Sequence, residues 1–493
     1  MQEMATGAIY CFTRSRRDSQ KSEYSMRQRL LLLNPPSFDG RLYNRHVMDP
    51  HVSKGDYLYP PYDFLMLSGY FSPSDHFDLA IVDSIALDLS PDQCRQRIRD
   101  FKPDAIVALT CPQSHHADLE FLRTVKEEIG GIMLTMGAVQ HARKRAILEH
   151  YPWMDGIVRE PIGDGLQRFL RGEPGPFPNL LLRSDPETWD GEDHGPIRDF
   201  DYPLPRHDLL PLARYRYPGM LTRQFTTMLT TYGCPFKCTY CEAPDFGFKY
   251  RPPESVVQEL RFIHSLGVRE VCFKDWTFAA NRKQSESLLE AMIAANLNIR
   301  WFTFSRSEVL DRRLIRKMKQ AGCHTLQIGV ESAQTDLLVN FKRRVNREHL
   351  TEVFRTCREE GVSTLATLVL GLPGDDEAGI LNTIDYVLKL DPDYASFNII
   401  TPLIGSKLRE EWEQIGIIDP EVYEIQDSTR AALHNVDISP ERLVYLRDLA
   451  VRRFYFRPSY LLHRFTRARS LHHLRNQAAV GWSLFCKHVL HLS

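Results

Sequence analysis

The chain has 493 residues, room for two to four domains at about 150 residues each. Hydrophobic residues make up 43% and charged residues 25%, which excludes disorder for the bulk of it. The 62 Lys and Arg balance 63 Asp and Glu at a net charge of −1, which excludes a dedicated nucleic-acid binder, and no apolar run reaches the ~18–20 residues that cross a bilayer.

Residues 1–26 are polar and mixed in charge and read as a disordered tail, with Met26 opening a cleaner beginning. They contain no apolar core of a secretion signal, so the ten cysteines are expected to be reduced thiols in the cytoplasm. RLLLLNPP (29–36) is a short buried strand halted by a proline pair. A β-α alternation follows. Strands are predicted at 77–84, 104–110, 131–137 and 156–160. Helices are predicted at 90–101 (Ser90 as N-cap), 118–129, 142–151 and 163–172. This rhythm over 27–172 predicts a doubly wound parallel sheet of Rossmann type, with any ligand at the carboxyl strand ends.

Residues 173–222 begin with a Pro-, Gly- and Asp-rich stretch and read as a linker with little regular structure. A second series runs over 223–404. Strands are predicted at 226–232, 270–275, 299–304, 325–330, 363–370 and 394–401. Helices are predicted at 254–266, 281–296, 308–321, 334–340, 346–360 and 375–390. Six such units predict a partial (β/α)6 barrel with its site at the carboxyl strand ends. Residues 405–493 read as a helical, basic C-terminal element. No acidic side chain follows Asp448, and arginines alternate there with aromatic residues.

The strongest local signal is TYGCPFKCTYCEAP (231–244). Cys234, Cys238 and Cys241 form C-x3-C-x2-C at the end of a predicted strand. Thiolates suit iron–sulfur clusters and zinc. A structural zinc site wants four ligands, and only three stand here. Three thiolates on a four-iron cluster leave one iron open.

This motif resembles the radical S-adenosylmethionine (SAM) superfamily, and the resemblance covers the chain after residue 200. It implies a [4Fe–4S] cluster on the three cysteines and cleavage of SAM to a 5′-deoxyadenosyl radical. Tyr240 matches the aromatic that seats the adenine end of SAM. CFKDWTF (272–278) stands where the family's methionine-binding loop does, with Asp275 in place of the usual Gly-Gly-Glu. Ser305 and Arg306 match positions near the SAM carboxylate, Glu331 in GVES the ribose contact, and Gly371 in GLPG the adenine-contacting turn.

The order of parts from LLLNPP through PPYDFLMLSGYF (60–71) to MDGIVREPIGDGL (154–166) resembles the class of this superfamily with an N-terminal cobalamin-binding domain. That resemblance implies cobalamin near Thr110–Ser114 and Gly137–Ala138. The cobalt-ligating D-x-H-x-x-G motif is absent. Asp49, His51 and Gly55 form a near miss, read as a surface loop, and His115 and His116 are read as solvated loop histidines. Cys272 and Cys323 are expected to be core thiols.

The resemblance implies a small-molecule substrate, no nucleic acid, and an external electron donor of flavodoxin or ferredoxin type. Methylation of an unactivated carbon is the expected reaction. Rearrangement, cyclisation or carbon–carbon coupling on the same scaffold is the alternative. A methylthiotransferase is disfavoured because its N-terminal domain needs three cysteines, and Cys11, Cys94 and Cys111 are unsuitably placed. A non-catalytic cofactor sensor is disfavoured by the retained Cys234, Cys238, Cys241 and Glu331. The C-terminal element (452–465 and 480–492) reads either as a basic amphipathic surface for an anionic membrane at its inner face or as a helical cap on the barrel.

Overall fold

The structure, a computed structural model, describes residues 27–71, 76–177, 179–184, 200–425 and 438–466, with 475, 477–478, 481–483 and 485–486. The tail 1–26 and much of the segment after 466 lie outside the described residues.

The N-terminal sheet has six strands in the order Phe77–Asp83, Gln28–Asn34, Ala105–Leu109, Ile132–Met136, Gly156–Val158, Leu180–Leu182. The first five are parallel and the last is antiparallel. The run Leu30–Leu33 is fully buried, and its side chains alternate between two separate cores, Leu30 and Leu32 in one, Leu31 and Leu33 in the other. A strand covered on both faces reads as continuous leucine for that reason. The helix Pro91–Phe101 starts at the expected Ser90, whose side chain and that of Gln93 form a reciprocal capping box. The helix after the third strand starts earlier than expected, at His115, and the helix expected at 142–151 is two short ones, Ala138–Ala142 and Lys144–His150.

Two of the elements not foreseen shape how the domains are built. PPYDFLMLSGYF carries a helix, Tyr62–Tyr70, buried nearly all round and so without an amphipathic stripe to betray it. The expected linker supplies the sixth strand of the sheet and then packs into both domains. Tyr215 donates a hydrogen bond to Asp83 of the N-terminal sheet (2.8 Å), and His207 contacts Glu259 of the barrel (2.9 Å). Phe200, Tyr202, Tyr215 and Tyr217 are buried, so this polar-looking stretch is held by its aromatics.

The second sheet is wholly parallel, in the order Tyr394–Ile399, Ser363–Leu370, Cys323–Glu331, Arg300–Ser305, Glu270–Phe273, Thr226–Met228. Helices connect its strands, as in the expected partial barrel. Along Ser363–Leu370, Ala366, Leu368 and Leu370 pack under the helices while Leu365 and Thr367 face a cavity inside the barrel. The strand expected at 226–232 is broken. Thr226–Met228 stays in the barrel, and Thr231–Gly233 leaves it to pair antiparallel with Phe248–Tyr250.

The helix Pro440–Tyr455 caps the barrel, burying Leu443, Leu446, Val451 and Phe454, and Tyr455 bonds the backbone of Ala395. Of the segment 452–465, read as either a cap or a membrane surface, Phe454 and Tyr460 are buried in the barrel core, and most of 480–492 lies outside the described residues. Among the described residues no helix is long and apolar enough to cross a membrane.

Candidate active site

The cysteine loop leaves the barrel through the break after Met228. The hairpin Thr231–Gly233/Phe248–Tyr250 sets its start, and the Cys234 N–H donates to the Gly247 carbonyl (2.9 Å). Gly233 has φ +72, and a Cβ there would meet the Gly247 carbonyl oxygen at 2.1 Å, so only glycine fits before the first thiol. The loop closes with the Cys241 N–H on the Cys238 carbonyl (3.2 Å) and the Ala243 N–H on the Cys241 sulfur (3.4 Å). Arg306 donates to the Cys238 sulfur (3.2 Å), and Thr277 lies 3.5 Å from that of Cys234. Burial pushes the Cys238 thiol up, against the pull of Arg306. Among the described residues no three His, Cys, Asp or Glu side chains converge on one ion, as a mononuclear zinc site requires.

Asp275 sits under this loop with its carboxylate fully buried. It accepts from the Thr230 N–H (2.7 Å), the Thr231 N–H (3.0 Å) and the Thr230 hydroxyl. It therefore clamps the strand break that launches the cysteine loop, and its oxygens are turned to the backbone. Burial pushes it up to about 6, more than these donors pull it down. A folded-state value above the unfolded 3.8 means that the stability from the bound proton is complete below about 4 and is lost as pH rises through about 6. Asp275→Asn keeps an acceptor for both N–H groups and has no proton to lose. Chemical denaturation at pH 4.5 and 7.5 is expected to show its pH dependence flattened by about 2 kcal/mol relative to wild type. Parallel profiles would refute this.

Ser305 donates to the Phe278 carbonyl (2.8 Å), so its hydroxyl is spent on the backbone. Arg306 stacks over Phe236 (3.9 Å) and pairs with Glu308 (3.0 Å), yet its buried Nε has no partner. Glu331 occupies the left-handed region (φ +62) at a bulge where its strand slips register, which turns its carboxylate toward Arg343 (3.7 Å). Burial pushes Glu331 up. Arg343 and Glu308 pair with each other and complete a four-residue charge cluster beside Cys238. Sequence reasoning missed these two, since neither belongs to a motif. Tyr240 packs edge-on against Phe341 (6.1 Å). Gly371 has φ +76 and donates its N–H to Asp375 (3.1 Å), whose carboxyl burial raises to about 6.

At the carboxyl end of the N-terminal sheet, the Thr110 hydroxyl bonds Gln140 (2.7 Å), and the Ser114 hydroxyl bonds Asp118 (2.8 Å). Both side chains are committed to protein partners. A Cβ on Gly137 would meet the Thr110 carbonyl oxygen at 2.5 Å, so this strand end requires glycine for close approach. His115 corrects its sequence reading. It is buried between Tyr151 and Tyr423 with both ring nitrogens unpartnered, and burial lowers it to about 3, whereas His116 is exposed. Gln113 Oε1 and Gln140 Nε2 are also buried without partners. Cys272 and Cys323 are buried core thiols, as expected.

A cavity of about 680 Å³ occupies the barrel interior. Phe304, Gln327, Leu365, Thr367 and Asn398 line it from the strands, and Arg447, Val451 and Tyr455 from the capping helix. The loop carrying Asp49, His51, Gly55, Tyr57 and Tyr59 reaches over from the N-terminal domain to complete the wall. The near-miss motif therefore stands at the barrel cavity and not on an outer surface. Lys274 anchors Asp49 (2.8 Å), and the Asp49 N–H donates to Glu242 beside Cys241 (2.9 Å).

A thiol loop at the carboxyl mouth of a six-stranded partial barrel, joined to a doubly wound sheet, defines a class of cluster-dependent enzymes. Residues 228–387 match the family described as "Radical SAM superfamily". The barrel thus carries a radical SAM domain, and the relatives and solved structures that the rest of the chain resembles include enzymes with cobalamin bound. It is 27% identical over 415 residues to the uncharacterized methyltransferase PH0819 of Pyrococcus horikoshii, covering 79% of this chain and 86% of the relative. It is 25% identical to the anaerobic magnesium-protoporphyrin IX monomethyl ester cyclase of Rubrivivax gelatinosus, covering 74% of this chain and 68% of that one. The fold is that of the radical SAM methyltransferase TsrM from Kitasatospora setae, with a TM-score of 0.62, 16% identity and coverage of 79% and 78%. The cobalamin-dependent radical SAM enzyme OxsB superposes with a TM-score of 0.64 at 12% identity, covering 92% of this chain and 72% of that chain.

Proposed function

We propose that this enzyme uses a [4Fe–4S] cluster, SAM and cobalamin to methylate an unactivated carbon of a largely apolar small molecule held in the barrel cavity. The observation that carries the reading is the loop of Cys234, Cys238 and Cys241 meeting Arg306, whose Nε is unpartnered, at Cys238, with Glu242 beside Cys241 bonded to Asp49 of the cavity wall. When bound, the cluster and SAM supply a 5′-deoxyadenosyl radical, and cobalamin supplies a transferable methyl group.

The chain's own residues bind and orient. Three thiols fit a cluster and leave one iron without a protein ligand. Arg306 offers its free Nε to the SAM carboxylate, Glu331 faces the ribose, and Tyr240 and the Gly371 turn flank the adenine. Asp275 and Ser305 are positioning residues, since their oxygens serve the backbone. Toward cobalamin, Gly137 permits close approach, and the unpartnered Gln140 Nε2 and His115 nitrogens provide polar contacts at the sheet end. Thr110 and Ser114 would contact it through their backbone.

The test is anaerobic reconstitution with hydroxocobalamin, then metal analysis and assay of 5′-deoxyadenosine under a low-potential reductant. About four irons and one cobalt per chain, with SAM cleavage, are expected; SAM cleavage absent from a fully reconstituted protein would overturn the reading. A second reading, radical cyclisation, is favoured by the likeness to the Rubrivivax cyclase. Methyl-labelled SAM separates the two, because only methylation carries label into product.

We place the enzyme in the cytoplasm, against the inner face of an anionic membrane, served by a flavodoxin or ferredoxin type donor. Leu461 lines the cavity mouth and is exposed together with Leu462 and Trp482, and the sequence after Asp448 has no acidic residue. Co-sedimentation with phosphatidylglycerol vesicles is expected at low salt and lost at high salt. No sedimentation at low salt would remove the membrane from the proposal.

A further inference from the structure

The cavity wall is mostly aromatic and aliphatic, with Tyr57, Tyr59, Phe304, Leu365 and Val451 among its residues. Two polar atoms on it stand out. The first belongs to His51. Its Nδ1 lies 2.8 Å from the Asp49 carbonyl oxygen. A backbone carbonyl only accepts, so Nδ1 carries the proton, and in the neutral ring Nε2 keeps its lone pair. Burial lowers His51 to about 4, against the pull of Asp49, so the ring is neutral at ordinary pH. Its edges contact Tyr57 and Tyr59, and no protein atom among the described residues bonds Nε2. The loop that carries His51 is tied on both sides of the cavity, through Asp49 to Lys274 and through Lys54 to Asn398, so the ring is held in place.

The second atom is Nε2 of Gln327. This residue sits mid-strand, level with Phe304 on one side and Leu365 on the other, and all three line the cavity. The side-chain amide is buried, and Nε2 has no hydrogen-bond partner. A buried donor without an acceptor is costly, and one that faces a cavity is satisfied by whatever polar group of a ligand or ordered water enters there.

We infer that the cavity recognises an aromatic or polycyclic substrate by two separate hydrogen bonds, an O–H or N–H donated to His51 Nε2 and a carbonyl-type oxygen accepting from Gln327 Nε2. This rests on the barrel cavity being the substrate site. It extends that reading, because it names two specificity-determining residues outside the cluster and SAM machinery. His51 comes from the N-terminal domain and Gln327 from the barrel, so the substrate bridges the two domains. The aromatic wall supplies affinity without direction, and the two polar points set orientation.

The test uses the full-length, anaerobically purified protein and three naphthalene probes of similar size: naphthalene, 2-naphthol as a donor and 2-acetylnaphthalene as an acceptor. Affinities are read by ligand-detected NMR titration without SAM or reductant. Binding can thus fail while SAM cleavage survives, and the reverse. Both polar probes are expected to bind ~5–10-fold more tightly than naphthalene. His51→Phe is expected to remove the advantage of 2-naphthol alone, and Gln327→Leu that of 2-acetylnaphthalene alone. A variant that merely loosened the pocket would weaken all three probes together. Equal affinities for the three probes in wild type, or equal losses across them in either variant, would overturn the inference.

Discussion

Cys238→Ala is expected to lose the cluster and to reduce 5′-deoxyadenosine release to the level of a no-enzyme control. The Cys238 thiol is the one that Arg306 contacts, so its loss removes both a proposed cluster ligand and a hydrogen-bond acceptor of the Arg306, Glu308, Arg343 and Glu331 group. Cofactor chemistry has no substitute among protein side chains, so the effect is all-or-none and not graded. Cys94→Ala serves as the control. That thiol is buried against Ser84 in the N-terminal domain, remote from the loop in the fold, and its variant is expected to keep full iron. Iron analysis and the optical spectrum decide the matter. Retention of a full cluster in Cys238→Ala would remove this residue from the ligand set.

Asp118→Ala is expected to be the most destabilising single substitution in the N-terminal domain. Arg45 and Asp118 are both fully buried and meet in a two-pronged pair, at 2.6 and 2.9 Å. Arg45 also donates to Asn34 (3.1 Å) and the Pro35 carbonyl (2.8 Å), while Asp118 accepts from Ser114 (2.8 Å) and the Cys111 N–H (3.3 Å). This network ties the proline loop after the first strand to the loop after the third, where cobalamin is proposed to lie. Removing the carboxylate leaves a guanidinium buried without its counter-charge, at a cost of about 3–5 kcal/mol. Urea denaturation measures it. The double variant Arg45→Met, Asp118→Leu is expected to recover more than half of the loss, because the penalty comes from an unpaired charge and not from lost volume. A double variant no more stable than Asp118→Ala would point to packing instead.

The sequence by itself determined the two α/β units, most of their strands and the cluster loop. It could do so because each rests on local physics. Continuous leucine at 30–33 means a strand covered on both faces, Ser90 and Gln93 cap a helix within one turn, and three thiols within eight residues are neighbours whatever the fold. The tertiary structure alone decided the rest. The helix Tyr62–Tyr70 lacks an amphipathic stripe because both its faces are buried. The strand Leu180–Leu182 is stable only because Gly156–Val158 offers it an edge. Asp275 looked like a ligand-facing carboxylate by position, yet the strand break at Thr230 turns three donors onto it. Glu308 and Arg343 carry no motif, and they become site residues only because the slipped register at Glu331 brings its carboxylate to Arg343. His51 read as a surface loop residue because its place depends on Lys274 and Asn398, more than two hundred residues away along the chain, which hold its loop across the barrel cavity. Contacts of that range are set by how the two domains pack, and no local pattern encodes them.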